Sequence, residues 1–140
     1  MAELLRQSTE YASSLYPAES NHLDNADELS QDNVYLVGAF CRDVLVGIGA
    51  VKRLAHDVKY GEIKRLFVLP AHRGSGLAKR IMGELEAHLR QRGIGVARLE
   101  TGIYQPEALG LYRRLGYELR DPFGEYQPDP FSVFMEKRIV

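Results

Sequence analysis

Between residues 61 and 91 the chain passes from a strand pattern through a glycine turn straight into a long amphipathic helix, and this unit constrains the fold more than any other feature. Residues 61–68 read as a strand that Pro70 ends. His72-Arg-Gly-Ser-Gly76 follows, and then Leu77, Ala78, Ile81, Met82, Leu85 and Leu89 recur at helical spacing. Gly93 and Gly95 stop that helix, and residues 96–101 form the next strand. A strand, a helix and a second strand in succession imply a crossover, so at least one strand pair is expected to be parallel.

The flanks complete the layout. Residues 3–15 carry Leu4, Leu5, Tyr11, Ala12 and Leu15 at mostly helical spacing, and Pro17 ends that helix. A short second helix is expected over 23–29. Strands 34–40 and 44–51, joined at Arg42-Asp43, read as an antiparallel hairpin in which Gly47, Gly49 and Ala50 permit close packing. Residues 105–115 form a helix that Gly116 stops, and strands 117–120 and 132–137 flank a Pro/Gly/aromatic loop. The expected architecture is an α/β (α+β) fold, with a mixed, partly parallel central sheet and helices on both faces. One domain over residues 1–140 suits the length.

Composition excludes several classes. With 45% hydrophobic and 26% charged residues a core can close, so disorder is not expected. A net charge of -1 leaves no basic field for nucleic acid or an anionic membrane. No apolar run approaches the ~20 residues of a membrane span, and the opening residues lack a signal-peptide pattern. The lone Cys41 has no internal disulfide partner and is expected to be a buried small hydrophobe. His22, His56, His72 and His88 have no metal-ligand spacing. A cytoplasmic protein without metal is the expectation.

The strand, glycine turn and helix start make an anion site on physical grounds. The first N–H groups of a helix lack internal partners, and the dipole there favours negative charge. Gly74 and Gly76 let the backbone approach a ligand, and Arg73 with Lys79 or Arg80 adds positive charge. The competing reading is a connection whose glycines serve turn geometry alone. A P-loop is excluded because Leu77 and Ala78 follow Gly76, and a dinucleotide fingerprint because Lys79 stands where a third glycine or alanine is needed.

Arg73-Gly-Ser-Gly76-Leu-Ala78 resembles the Arg/Gln-x-x-Gly-x-Gly/Ala signature of the GNAT acetyltransferases. A second GNAT hallmark, Ala-x-x-Leu-Tyr-x-x-x-Gly-Phe/Tyr, is matched by Ala108-Leu-Gly-Leu-Tyr112-Arg-Arg-Leu-Gly116-Tyr117. The likeness covers roughly residues 34–120. Pro17-Ala-Glu-Ser-Asn-His22, Glu100-Thr-Gly102 and the stretch from Pro122 to Lys137 look like a bacterial subgroup of small GNAT proteins. Two departures stand out: Gln105 replaces an asparagine common in relatives, and the usual first strand is expected to be absent or very short.

The resemblance implies acetyl-CoA as co-substrate. It places Arg73, Gly74, Ser75, Gly76, Leu77 and Ala78 at the pyrophosphate, backbone groups of Leu66, Phe67 and Val68 along the pantetheine amides, and Gln105 near the same arm. It places Tyr112 as general acid toward the CoA thiolate, against the plain reading of a core aromatic on an apolar helix face. Glu62 matches a general-base position in some GNAT enzymes, against the plain reading of a solvated strand-end carboxylate, and Glu100 is a second candidate base. A base is needed because an alkylamine with a pKa near ~10.4 is an ammonium at neutral pH.

Lys64 and Arg65 alternate along their strand, so at least one is expected to point inward. Arg65 is expected either to pair with Glu100 or to bind an acidic group of the acceptor. The expected acceptor is a small primary amine held by Tyr16, Glu19, Ser20 and His22 on one side and Phe123, Tyr126 and Ser132 on the other. Phe123 and Tyr126 have a plainer reading as loop anchors. Alternatives left open are a peptide or protein acceptor and a non-catalytic acyl-CoA sensor. The expected partners are acetyl-CoA and that amine, with neither nucleic acid nor membrane, and a homodimer is allowed.

Overall fold

The computed structural model describes residues 1–15 and 24–140. Two helices, α1 (Ala2–Leu15) and α2 (Ala26–Leu29), precede three strands, β1 (Val34–Cys41), β2 (Val44–Ala55) and β3 (Lys59–Val68). A 3-10 turn at Pro70–His72 leads to α3 (Leu77–Gln91), followed by β4 (Val96–Gly102), α4 (Pro106–Arg114), β5 (Glu118–Arg120) and β6 (Ser132–Arg138). The expected stop at Pro17 and helix start at Leu23 lie outside the described residues. Asn25 caps α2 reciprocally: its side chain accepts from the Glu28 N–H, and the Glu28 carboxylate accepts from the Asn25 N–H.

The strands form one sheet in the order β1-β2-β3-β4-β6-β5. Every neighbouring pair is antiparallel except β3–β4, the parallel pair that the crossover through α3 requires. Arg42 and Asp43, at φ 51° and 67°, supply the two left-handed residues that match a hairpin's twist. β2 runs on to Ala55 rather than ending at Val51, because residues 52–55 pair with residues 59–62. Cys41 is exposed, contrary to expectation. It ends an outer strand beside the turn, where apolar sequence neighbours cannot cover it.

Helices lie on both faces. Leu4, Leu5 and Leu29 pack with Ile48, Ala50 and Phe67 on one. Ile81, Met82, Leu85, Leu89 and Tyr112 pack with Val51, Ile63, Val68, Leu99 and Met135 on the other. Gly61 lets α3 come close: a Cβ there would collide with Leu89 and sit 2.8 Å from Val51 Cγ2. No helix among the described residues is long and apolar enough to cross a membrane.

Two irregularities position the site. Ile48 pairs with Phe67 and Ala50 with Lys64, so Arg65 and Leu66 together oppose Gly49. This is a bulge, and Arg65 adopts φ 55° to make it. The second is a parting of strands. β3 and β4 pair only through Gly61–Ala97, Glu62–Arg98 and Ile63–Leu99, yet β3 continues to Val68 and β4 to Gly102.

Candidate active site

Where β3 and β4 part, a cleft of about 910 Å³ opens. Ser8, Tyr11 and Ala12 of α1 line one side, while Leu77 and Ala78 of α3 and Tyr112 of α4 line the other. Since α1 and α3 cover opposite faces, the cleft passes through the sheet.

The glycine turn forms one end. Gly74 and Gly76 have φ 81° and 82°, and a Cβ on either would meet nothing within 4 Å. Gly76 stands at the N-cap of α3 and provides no side-chain cap, and the first turn holds no acidic residue. Arg80 N–H bonds to Gly76 O, so the N–H groups of Leu77, Ala78 and Lys79 precede the helix's own ladder. All three residues line the cleft, as do Leu66, Phe67, Val68, Arg73, Gly74, Gly76 and Gln105. The sequence-expected set is thus brought together, apart from Ser75, which does not line the cleft. Its hydroxyl donates to His72 O at 2.6 Å, leaving its part in the turn to the backbone. Arg73 donates from Nε to Val68 O at 2.9 Å and lies 5.3 Å from the Phe67 ring centre, which ties the turn to β3. Arg80, unlike Lys79, does not line the cleft.

Two titratable groups, Tyr112 and Glu100, line the cleft. Tyr112 is buried and packs edge-on against Tyr117 at 6.0 Å. Burial pushes its phenol well above the ordinary range, and the Glu100 carboxylate adds to the rise. Glu100, at the open end of β4, accepts from the Ser132 hydroxyl at 2.8 Å. Burial raises its carboxyl to about 7, against the Ser132 bond and the Lys64 charge, with Glu62 and Asp129 adding to the rise.

Glu62 departs from expectation. It lies inside β3 rather than at its start, it is buried rather than solvated, and it does not line this cleft. The Tyr126 hydroxyl donates to its Oε2 at 2.5 Å and Lys64 approaches at 3.4 Å. Glu62 instead borders a separate cavity of about 700 Å³ with Lys52, His56 and Tyr126. Lys64 also pairs with Asp24 at 3.0 Å. Burial works against the lysine's charge, but Glu62 and Asp24 outweigh it and hold its pKa above the usual value.

Arg65 does not pair with Glu100. Its Nη2 donates to Leu5 O at 2.8 Å and to Thr9 Oγ1 at 3.0 Å, both on α1. The bulge explains why Lys64 and Arg65 reach the α1–α2 side together instead of alternating. Phe123 is buried edge-on among Tyr60, Tyr126 and Phe134, so it anchors the loop between β5 and β6. Tyr16, Glu19, Ser20 and His22 lie outside the described residues. Asp24, Ser8, Tyr11 and Ala12 carried no site signal in sequence; a carboxylate beside a helix start and three helix positions become a site only once α1 docks. Among the described residues, no group of three His, Cys, Asp or Glu side chains could hold a metal ion.

Comparison with known proteins bears on this cleft. The model of the "Acetyltransferase (GNAT) family" matches residues 1–117. An IAA acetyltransferase of Azospirillum brasilense is 39% identical over 137 residues, covering 98% of this chain and 89% of that protein. The crystal structure of a Klebsiella pneumoniae protein proposed to be an acyl-CoA N-acyltransferase superposes with a TM-score of 0.81 at 35% identity, covering 99% of this chain and 89% of the other. The PaiA N-acetyltransferase of Thermoplasma acidophilum, solved with coenzyme A, shares the fold with a TM-score of 0.75 at 21% identity over 97% and 89% of the two chains.

Proposed function

The chain belongs to the GNAT family of acetyl-CoA-dependent N-acetyltransferases, and within it we propose that this domain acetylates the primary amine of a small molecule, with Glu100 as general base and Tyr112 as general acid. The observation that carries this reading is the cleft through the sheet with both groups on its walls.

The residues present fit acetyl-CoA. The glycine turn leaves open space over Gly74 and Gly76, and the unpartnered N–H groups at the start of α3 suit a pyrophosphate. Arg73, Ser75 and Lys79 border that region, the first through its link to β3 and the second through its backbone. Leu66, Phe67 and Val68 lie beyond the β3–β4 pairing, so their free strand edge suits the pantetheine amides as an added strand. Gln105 lines the same wall. When bound, acetyl-CoA supplies a thioester whose acetyl carbon bonds to the amine nitrogen as its carbon–sulfur bond breaks.

On the way from ammonium to amide the nitrogen gives up two protons and the sulfur gains one, so one proton leaves for solvent in each turnover. Glu100 takes one from the acceptor ammonium, and a carboxyl titrating near 7 can both hold and release it at neutral pH. Tyr112 gives its phenolic proton to the departing sulfur, yielding CoA thiol, and its raised pKa keeps it protonated until then. Once the carbon–nitrogen bond has formed the nitrogen sheds a second proton, which restores the phenol of Tyr112, and Glu100 releases the first to solvent before the next turnover. A backbone N–H of the free β3 edge is suited to the charge developing on the acyl oxygen. Glu62, held by Tyr126 and Lys64 outside the cleft, is assigned to support the wall behind Glu100 rather than to take the proton.

Release of free thiol from acetyl-CoA tests this against a panel of small amines, polyamines and lysine-rich peptides. Turnover with small amines is expected. Binding of acetyl-CoA with no thiol released by any amine would indicate a sensor, and a peptide preferred more than about tenfold, roughly 1.4 kcal/mol, would shift the acceptor to proteins.

A further inference from the structure

We propose that Arg65 reads an anionic group on the acceptor, so that the substrate is an amine bearing a carboxylate or comparable oxyanion a few bonds from its nitrogen. This rests on the acetyltransferase reading above and narrows its substrate class.

A non-glycine residue at φ 55° inside a strand is strained, because its Cβ crowds the neighbouring carbonyl oxygen. That conformation accompanies the turn of Arg65 toward α1 and the cleft, while Lys64 beside it pairs with Asp24 and Glu62. Charge around the two residues differs. Lys64 is matched by Asp24 and Glu62. Arg65 is only 7% exposed, yet no described carboxylate lies within ion-pair distance of it. Among the described residues, both its hydrogen bonds leave from Nη2, to a neutral carbonyl and a neutral hydroxyl, and its Nε is buried without a partner. Asp24, the charge neighbour that favours its protonated form, is bonded to Lys64 through Oδ1, and its Oδ2 is likewise without a partner. A buried guanidinium with no counterion among the described residues is costly, and fixing α1 to β3 does not require a charge.

Arg65 and Glu100 line the same cleft without pairing, because Glu100 is held by Ser132. A cation and a proton acceptor kept apart in one cleft complement a zwitterion, with its ammonium at Glu100 and its anion at Arg65. Arg65 is bonded to α1 on one face of the sheet, whereas the N–H groups suited to pyrophosphate begin α3 on the other, so the two anion sites are built on different elements.

The test compares amines that differ only in the anion. Phenylalanine against phenylalaninamide and β-alanine against β-alaninamide probe the carboxylate, and 2-aminoethylphosphonate against ethanolamine probes the phosphonate. Each is assayed by thiol release with the parent, Arg65→Met, Arg65→Lys and Thr9→Val, alongside KM for acetyl-CoA. The parent is expected to prefer at least one anionic member over its neutral twin by tenfold or more in kcat/KM. Arg65→Met should remove that preference through acceptor KM, with KM for acetyl-CoA unchanged. Arg65→Lys should retain part of it, and Thr9→Val, which loses only the anchoring hydroxyl, should retain all of it. A parent indifferent to the anion in every pair overturns the inference even if no variant folds. Equal loss on acid and amide in Arg65→Met reduces Arg65 to an anchor of α1. Absence of thiol release with every amine defeats the acetyltransferase reading itself, which separates the two failures.

Discussion

Replacing Glu100 with glutamine should stabilise the protein in alkaline solution while removing its base. In the folded state this carboxyl titrates near 7 rather than at the ordinary 4.5. At about 1.36 kcal/mol for each tenfold change in proton affinity, keeping it ionised in the fold costs on the order of 3 kcal/mol. The sign follows from which state binds more protons. Below 4.5 the group is protonated in both states and the cost is absent. Between 4.5 and 7 the unfolded chain ionises while the folded one keeps its proton, so the parent loses stability as pH rises, and above 7 the loss is complete. Glutamine keeps an oxygen for the Ser132 hydroxyl and carries no charge. Urea unfolding of parent and Glu100→Gln at pH 5 and pH 8.5 should therefore show the variant gaining about 2–3 kcal/mol relative to the parent at the higher pH. In kinetics, the parent should show a limb near pH 7 in kcat/KM. The variant should lose that limb, along with about 10²-fold in rate, keeping only the slope set by the amine's own ionisation. Glu62→Gln should keep the limb. A stability difference that does not change with pH, or a limb that survives in Glu100→Gln and vanishes in Glu62→Gln, would refute the assignment.

Tyr112→Phe keeps the edge-on packing against Tyr117 and should leave acetyl-CoA affinity unchanged while lowering kcat about 10²-fold; an unaltered kcat would return Tyr112 to the core. Gly76→Glu places a side chain at φ 82° and a negative charge where the pyrophosphate is expected. The stabilisation by acetyl-CoA, about 2.7 kcal/mol at a hundredfold excess over Kd for the parent, should disappear from its thermal melt, and a retained shift would put the anion elsewhere. Gly61→Ala thrusts a methyl into Leu89 and Val51 and should cost about 1–3 kcal/mol by urea titration; a neutral result would mean that α3 can move off the sheet.

What the sequence disclosed follows physical range. Ile81, Met82, Leu85 and Leu89 announce α3 because one helix face is a local pattern, and Gly74, Gly76 and Gly116 mark turns because left-handed backbone selects glycine. The bulge left no such mark, since an arginine holds the left-handed position, and reading Lys64 and Arg65 as alternating followed from assuming a regular strand. Lys52 and Arg53 looked like the end of β2, yet they continue it, with Arg53 donating to Asp32 O and contacting His88. The Asp24–Lys64–Glu62–Tyr126 cluster joins segments far apart in the chain, and charge type alone cannot show such pairings. The cleft's α3 and α4 walls were legible from motifs; its α1 wall depended on docking.

The parting of β3 and β4 after three residue pairs also bears on motion. Residues 64–68 and 100–102 carry strand geometry with no partner across the gap, so their amides there depend on water or ligand for hydrogen bonds. A pantetheine arm laid along β3 would act thermodynamically as part of the sheet. Amide hydrogen exchange should slow on both lips of the gap when CoA enters, ahead of any change in the distant β1–β2 hairpin. The first ligand would then stiffen the wall against which the second must be held. Acceptor affinity measured on the empty protein would understate the affinity that the loaded one offers.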